Sequence, residues 1–139
     1  MAYAAALFDA GTVQAVLFHI DMPIMNQVEA DQLTQALGLL PDQLDVQAMI
    51  VTLGADGRRW LNNQNSSLNE HPAIPTDVVD TTGAGDTFTG YILAGLDRGM
   101  PMEQAIRLAS QAASIMVSRQ GTADVIPDLK VIQDQFGSF

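Results

Sequence analysis

Apolar and polar positions follow two rhythms along this chain. Val13 to Ile20 is a short apolar run closed by Asp21 and Pro23, and it predicts a buried strand. From Asn26 the period lengthens. Val28, Ala30, Leu33, Ala36 and Leu37 recur at helical spacing, with Gln, Asp and Glu between them. Beyond Pro41 and Asp42, the run Ala48 to Leu53 predicts the clearest buried strand, ended by the turn Gly54-Ala55-Asp56-Gly57. Arg58 to Leu61 reads as a further strand and Asn62 to Asn65 as a polar reversal. Leu68 to Ile74 then returns antiparallel, confined to a sheet edge by Pro72 and Pro75.

Val78-Val79 leads as a strand-like segment into a glycine turn, after which Phe88, Tyr91, Ile92, Gly95 and Leu96 form one helical stripe that Gly99 stops. Pro101 suits the first turn of another helix, which Glu103 helps begin. In it Met102, Ala105, Ile106, Ala109, Ala113, Met116 and Val117 make a long apolar face, with small residues that permit close packing. Strands alternating with helices predict an α/β fold with a mainly parallel sheet, the hairpin around Asn62 to Asn65 being a local exception. No repeat, low-complexity tract or linker divides the chain, so residues 1–139 are expected to form a single domain.

Composition narrows the function. With 139 residues and 47% hydrophobic content the chain is long enough for a real core and unlike a disordered segment. Lys and Arg total 6 against 16 Asp and Glu, a formal charge of −10, which argues against nucleic acid or an anionic membrane as partner. A phosphate site would have to rest on backbone amides, magnesium and a few local cations. The absence of cysteine excludes disulfides, thiolate–zinc sites and a cysteine nucleophile. No apolar run reaches membrane-spanning length, and Met1 to Phe8 lacks the basic start of a secretory signal and reads as helix, so the cytoplasm is the expected location. His19 is expected in the core and His71, beside Pro72, on the surface, which leaves no histidine metal site.

Candidate chemistry concentrates in Asp80-Thr81-Thr82-Gly83-Ala84-Gly85-Asp86-Thr87-Phe88. Glycines at the start of a helix let backbone amides converge on an anion, and the helix adds a positive dipole end. An aspartate there is poorly placed to bind a phosphate but well placed to take a proton from a hydroxyl attacking one. Taken alone, Asp86 at a helix start is a cap, and Gly-Ala-Gly is a turn. The nonapeptide has to be explained together with Val51 to Gly57, about thirty residues upstream.

Together these residues resemble the ribokinase-like (pfkB-type) carbohydrate kinases, which transfer the γ-phosphate of ATP to a sugar or similar alcohol. The resemblance runs from about Ala48 to Pro127 and includes Val51 to Gly57, Asp80 to Phe88, the helix Glu103 to Arg119, and Gly121 to Pro127. It implies a three-layer α/β/α ribokinase-like fold. By the same resemblance Asp86 is the catalytic base, and Gly83, Ala84 and Gly85 form the anion hole. Thr52, Gly54 and Gly57 lie along the nucleotide, and Ser110 falls where the family often has Asn or His near the adenine. A potassium ion is implied beside Asp80 and Thr82, with the backbone of Met116, Arg119 and Gly121 on its other side. Asn26 and Glu29 resemble an Asn-x-x-Glu element that organises Mg²⁺ and phosphate, while the residues themselves read equally well as a solvated helix start capped by Asn26. A second alignment also stays open, in which Ala15 to Pro23 matches an earlier family strand and the likeness at Asn26 is coincidental.

The family is about twice this length, and none of the glycine-rich sugar-binding segments of its N-terminal half is found here. The chain therefore reads as the nucleotide-side half of a kinase domain, without the sugar-binding half and lid. Half a sheet is expected to leave an open strand edge and to favour a homo-oligomer. The readings that follow are a sugar kinase using ATP and Mg²⁺, a nucleotide-binding module without catalysis, or an assembly remnant.

Overall fold

The computed structural model describes residues 10–121 and 123–138. The helix expected over Met1 to Phe8 lies outside them. The chain divides into two compact units, Met1–Ala73 and Ile74–Phe139.

In the first unit, α1 (Ala10–Leu17) precedes β1 (Ile24–Asn26), α2 (Gln27–Leu37), β2 (Ala48–Thr52), β3 (Arg58–Asn62) and β4 (Ser67–His71). The strands form one sheet in the order β1-β2-β3-β4. The expected strand over Val13 to Ile20 is instead α1 and the turn after it. Burial shows why: Val13 and Leu17, four residues apart, are buried, whereas Val16 and Phe18 are 42% and 78% exposed. A run this short satisfies either period until a neighbour selects the face. His19, expected in the core, is exposed beyond the helix, its ring edge-on to Phe18.

The α/β class holds, but the sheet is mixed. β1 and β2 are parallel across the α2 crossover, while β2–β3 and β3–β4 are antiparallel. Parallel neighbours need a connection of a dozen or more residues. The 54–57 and 63–66 turns are too short for that, so the hairpins make up half the sheet rather than a local exception. β4 ends at His71 rather than Ile74, because Pro72 has no N–H for the ladder. It is an edge strand, as its prolines predict. Met25, Met49 and Val51 point from one sheet face into a core with Val13 and Leu17 of α1, Ala30 and Leu33 of α2, and Leu44 and Val46. Each buried Val, Leu or Met side chain of this core contributes roughly 1.5–3 kcal/mol. Val28, at helical spacing in the sequence, is 63% exposed.

The second unit holds α3 (Ala84–Asp97), α4 (Met102–Val117) and α5 (Leu129–Phe136). Pro101 occupies the cap position of α4 rather than its first turn. α3 and α4 lie along each other, and Gly95 lets them close: a Cβ there would sit 3.1 Å from the Ala105 Cβ. α4 is buried almost all round from Leu108 to Met116, beyond the single face its apolar spacing predicts. Its Leu108, Ala112 and Ile115 pack with Ile132 of α5. Val78 and Val79 join no ladder among the described residues, and the Val79 and Asp80 amides both donate to the Val117 carbonyl, at 2.7 and 3.1 Å.

Candidate functional site

The second unit carries the glycine turn. Gly83 is the N-cap of α3 at φ 77, ψ 2, a left-handed conformation that favours glycine, and a Cβ there would sit 2.8 Å from the Met116 Cε. Phe88 is anchored in the core, and the buried Thr87 hydroxyl donates to the Met116 sulfur. The first turn of α3 is thus held from beneath. On its outer side the Ala84 amide is taken by the Thr81 carbonyl at 3.2 Å, while those of Gly83, Gly85 and Asp86 have no partner among the described residues. Asp86 is exposed, and its carboxylate accepts no hydrogen bond and forms no ion pair among the described residues. Free amides at a helix N-terminus attract an anion, and an unpaired carboxylate beside them is free to accept a proton.

Just before the turn, Asp80 gathers neighbours. One carboxylate oxygen accepts from the Thr82 amide at 2.9 Å and the other from the Gly121 amide at 3.5 Å. The Thr82 hydroxyl and then its amide hold the Asp80 carboxyl below its ordinary value, with a smaller pull from the Gly121 amide and an opposing push from desolvation. The carbonyls of Arg119 and Gly121 accept nothing among the described residues, whereas that of Met116 receives the Ser118 and Arg119 amides. The carbonyl oxygens of Arg119 and Gly121 are thus open to a further partner beside the Asp80 carboxylate. Among the described residues no group of three His, Cys, Asp or Glu comes together.

The first unit contains an open cleft of about 800 Å³ at the carboxyl ends of the parallel strands. Sheet register explains its floor. Asn26 pairs with Thr52, Thr52 with Arg58, and Arg58 with His71, so one polar row crosses all four strands on one face. All four residues line the cleft, together with Leu53, Gly54 and Pro72. The expected nucleotide residues Thr52 and Gly54 are thus on its wall. Gly57 lies beneath, at φ 97, where a Cβ would meet the His71 carbonyl oxygen at 2.1 Å. Burial pushes the Arg58 guanidinium below its ordinary value, and Arg59 faces Glu70 at 3.6 Å on the other side of the strand.

Asn26 and Glu29 are joined to each other. The Asn26 side chain accepts from the Glu29 amide at 2.8 Å, and a Glu29 carboxylate oxygen accepts from the Asn26 amide at 2.9 Å, a full capping box at the start of α2. The cap half of the two open readings is therefore present. The second alignment of Ala15 to Pro23 needs a strand where α1 and its turn stand. Ser110 is buried in α4, its hydroxyl donating to the Ile106 carbonyl at 2.7 Å.

Asp56, Arg58, Arg59 and Glu70 line the cleft without having been proposed as site residues from the sequence, and so does His71, which was read there only as a surface residue. The alternation of β3 and β4 carries a signal for Arg58 and His71, but only once the register of the hairpin is known. His71, expected to be exposed, is half-buried, and its Nε2 is fully buried with no hydrogen-bond partner among the described residues.

Residues 3–129 match the family model described as pfkB family carbohydrate kinase. The chain is 40% identical over 89 residues to the bifunctional protein HldE of Methylococcus capsulatus, covering 64% of this chain and 19% of that protein. Its fold is similar to that of the Burkholderia thailandensis nucleoside kinase in complex with inosine, with a TM-score of 0.86, 29% identity, and coverage of 95% of this chain and 45% of that one. The Arabidopsis thaliana ribokinase complexed with ribose and ATP superposes with a TM-score of 0.79 at 30% identity, over 87% of this chain and 42% of the other. The chain spans less than half the length of each.

Proposed function

Because this chain belongs to the pfkB carbohydrate kinase family, we propose that it carries the nucleotide-side chemistry of ATP-dependent phosphorylation of a sugar hydroxyl. Asp86 takes the hydroxyl proton as the oxygen bonds to the γ-phosphorus and ADP leaves, a role typically worth ~10²–10⁴ in rate. The amides of Gly83, Gly85 and Asp86 face the charge on the transferred phosphoryl group; that of Ala84 is held by Thr81.

One observation carries this reading. Gly85 is exposed in the first turn of a helix, and a Cβ added to it would meet nothing within 4 Å. Helical glycine costs roughly 0.5–1 kcal/mol relative to alanine, so packing gives no reason for it. Close approach of a ligand to the backbone beside the free Asp86 carboxylate does.

Thr52 and Gly54 would contact the nucleotide. Asn26 and Glu29 would act on a hydrated Mg²⁺ through the oxygens their capping box leaves unused. Asp80 and Thr82, with the carbonyls of Met116, Arg119 and Gly121, would hold K⁺, which supplies a fixed positive charge beside the turn. The cytoplasm is the proposed location; among the described residues no helix is long and apolar enough to cross a membrane. The test is ADP release across a panel of sugars beginning with ribose. Asp86→Asn is expected to remove turnover while leaving the melting temperature within about 4 °C, since only a helix-dipole interaction of ~0.3–1 kcal/mol is lost. Turnover that survives Asp86→Asn would overturn the assignment.

A second reading, a nucleotide-binding module that does not turn over alone, is favoured by the chain's 45% share of its structural relative and by a cleft built wholly within the first unit. Calorimetric ATP binding without turnover would select it. A homo-oligomer formed through β1, which among the described residues has a ladder partner on one side only, is proposed on the same footing. A monomer in light scattering at micromolar concentration would refute it.

A further inference from the structure

We propose that Met116 is a positioning residue for the glycine turn, its thioether aligning, through Gly83 and Thr87, the amides that face the transferred phosphoryl group; this rests on the reading of that turn given above. Met116 is buried in the last turn of α4, 29 positions along the chain from Thr87. Its Cε occupies the space beside Gly83 so fully that a Cβ on Gly83 would fall 2.8 Å from it. Its sulfur accepts the hydroxyl of the buried Thr87. Gly83 caps α3, and Thr87 closes the first turn, its amide donating to the Gly83 carbonyl at 3.0 Å. One side chain therefore grips both ends of the turn, with Gly85 and Asp86 between them. The adjacent Val117 carbonyl takes the Val79 and Asp80 amides, so the end of α4 also holds the chain as it enters the turn.

The hydrogen bond that Thr87 makes is informative. A threonine inside a helix commonly turns its hydroxyl back to the carbonyl four residues earlier, which bends the helix. For Thr87 that carbonyl belongs to Gly83, so back-bonding would draw on the peptide group at the start of α3. The Met116 sulfur takes the hydroxyl instead. A leucine would fill nearly the same space but accept nothing, whereas a thioether packs as an apolar group and still offers a weak acceptor. The sulfur thus supplies an alignment that packing alone does not. Donors aimed at a developing charge act through their geometry, so a small displacement of their support is felt most by the ligand group they face.

The test is calorimetry on the whole chain with Mg²⁺, comparing ATP, which carries the phosphoryl group the turn would face, with ADP, which lacks it. Met116→Leu keeps the side-chain volume and the backbone carbonyl implied at the potassium site. It is expected to weaken ATP roughly three- to tenfold and ADP not at all, with the melting temperature lowered by no more than about 6 °C. Thr87→Val is expected to reproduce that loss, and Thr87→Ser, which keeps the hydroxyl, to restore ATP affinity to within about twofold. Met116→Leu and Thr87→Val combined are expected to cost no more than either alone, because a single contact is lost once. An ATP preference that survives both Met116→Leu and Thr87→Val overturns the proposal and leaves the reading of the turn intact. Equal weakening of ADP, or a Thr87→Ser variant as weak as Thr87→Val, overturns it in favour of packing alone. An unaltered chain that binds ATP no better than ADP removes the reading of the turn, and this inference with it.

Discussion

Gly57→Ala is the sharpest test of how the cleft is built. Gly57 sits at φ 97, ψ −140, a region essentially closed to residues with a side chain. The added Cβ would lie 2.1 Å from the His71 carbonyl oxygen and 3.0 Å from the Ala73 nitrogen and the Pro72 carbonyl carbon. Ordinary carbon–oxygen contact begins near ~3.3 Å. Relief therefore needs a movement of more than ~1 Å between backbone segments, with no flexible side chain to absorb it. The obvious movement opens the Arg58–His71 end of the β3–β4 ladder. Strain of ~1–3 kcal/mol and one or two hydrogen bonds at ~1 kcal/mol each give a cost of about 3–5 kcal/mol. Gly54→Ala, in the same turn, is the control. It also has positive φ, 60, but its Cβ would meet nothing within 4 Å, so only ~1–2 kcal/mol of left-handed strain is added. Urea denaturation of both variants reads the difference, and ATP calorimetry reads the cleft. Gly57→Ala falling within 1 kcal/mol of Gly54→Ala (a margin taken as about one hydrogen bond) would refute the close approach and with it the buttressing of His71.

The capping box predicts that Asn26→Ala and Glu29→Ala each cost ~1 kcal/mol and that the double variant costs less than their sum, measured by thermal melting. Tyr91, whose hydroxyl donates to the Pro127 carbonyl, has its pKa raised above the ordinary 10.0 mainly by burial, then by Asp128, against a lowering by Arg98. A folded value above the unfolded one means that this stabilisation is complete below pH ~10 and is lost as pH rises through the folded value. Tyr91→Phe should accordingly be less stable by ~1 kcal/mol at pH 7, with the gap to the unaltered chain closing above pH 10 in urea titrations. Gly85→Ala should stabilise α3 by up to ~1 kcal/mol in melting experiments while lowering any kinase turnover or phosphate affinity; a stable variant with full function would show that the open space over Gly85 serves nothing.

The glycine turn was legible because its chemistry is local. Gly83 takes the left-handed cap, Ala84 begins the helix, and Asp86 falls in its first turn whatever lies around them. The same holds for Asn26 as the cap of α2 and for the edge position of β4, though the end of that strand at His71 and the return bond from Glu29 were not read. Val13 to Ile20 was not legible, because a run of eight residues, six of them apolar, satisfies a strand or a helix until a partner chooses which ones to bury. The all-round burial of α4 was hidden too. Ser110, Gln111 and Ser114 look like a solvated face, and their burial is visible only in the folded chain.

By itself, the order of residues determined the glycine turns, the Asn26 cap and the start of α3, and with them the family and the residues around Asp86, since these depend on contacts within four or five positions. Tertiary structure alone decided which face of α1 turned inward, how far the sheet became antiparallel, and that Asn26, Thr52, Arg58 and His71 share one row. Side chains on paired strands meet through register, and a slip of one residue would send each to the opposite face. Register is a property of the closed hairpin, held by Gly57 against His71, and no residue of that row carries it alone.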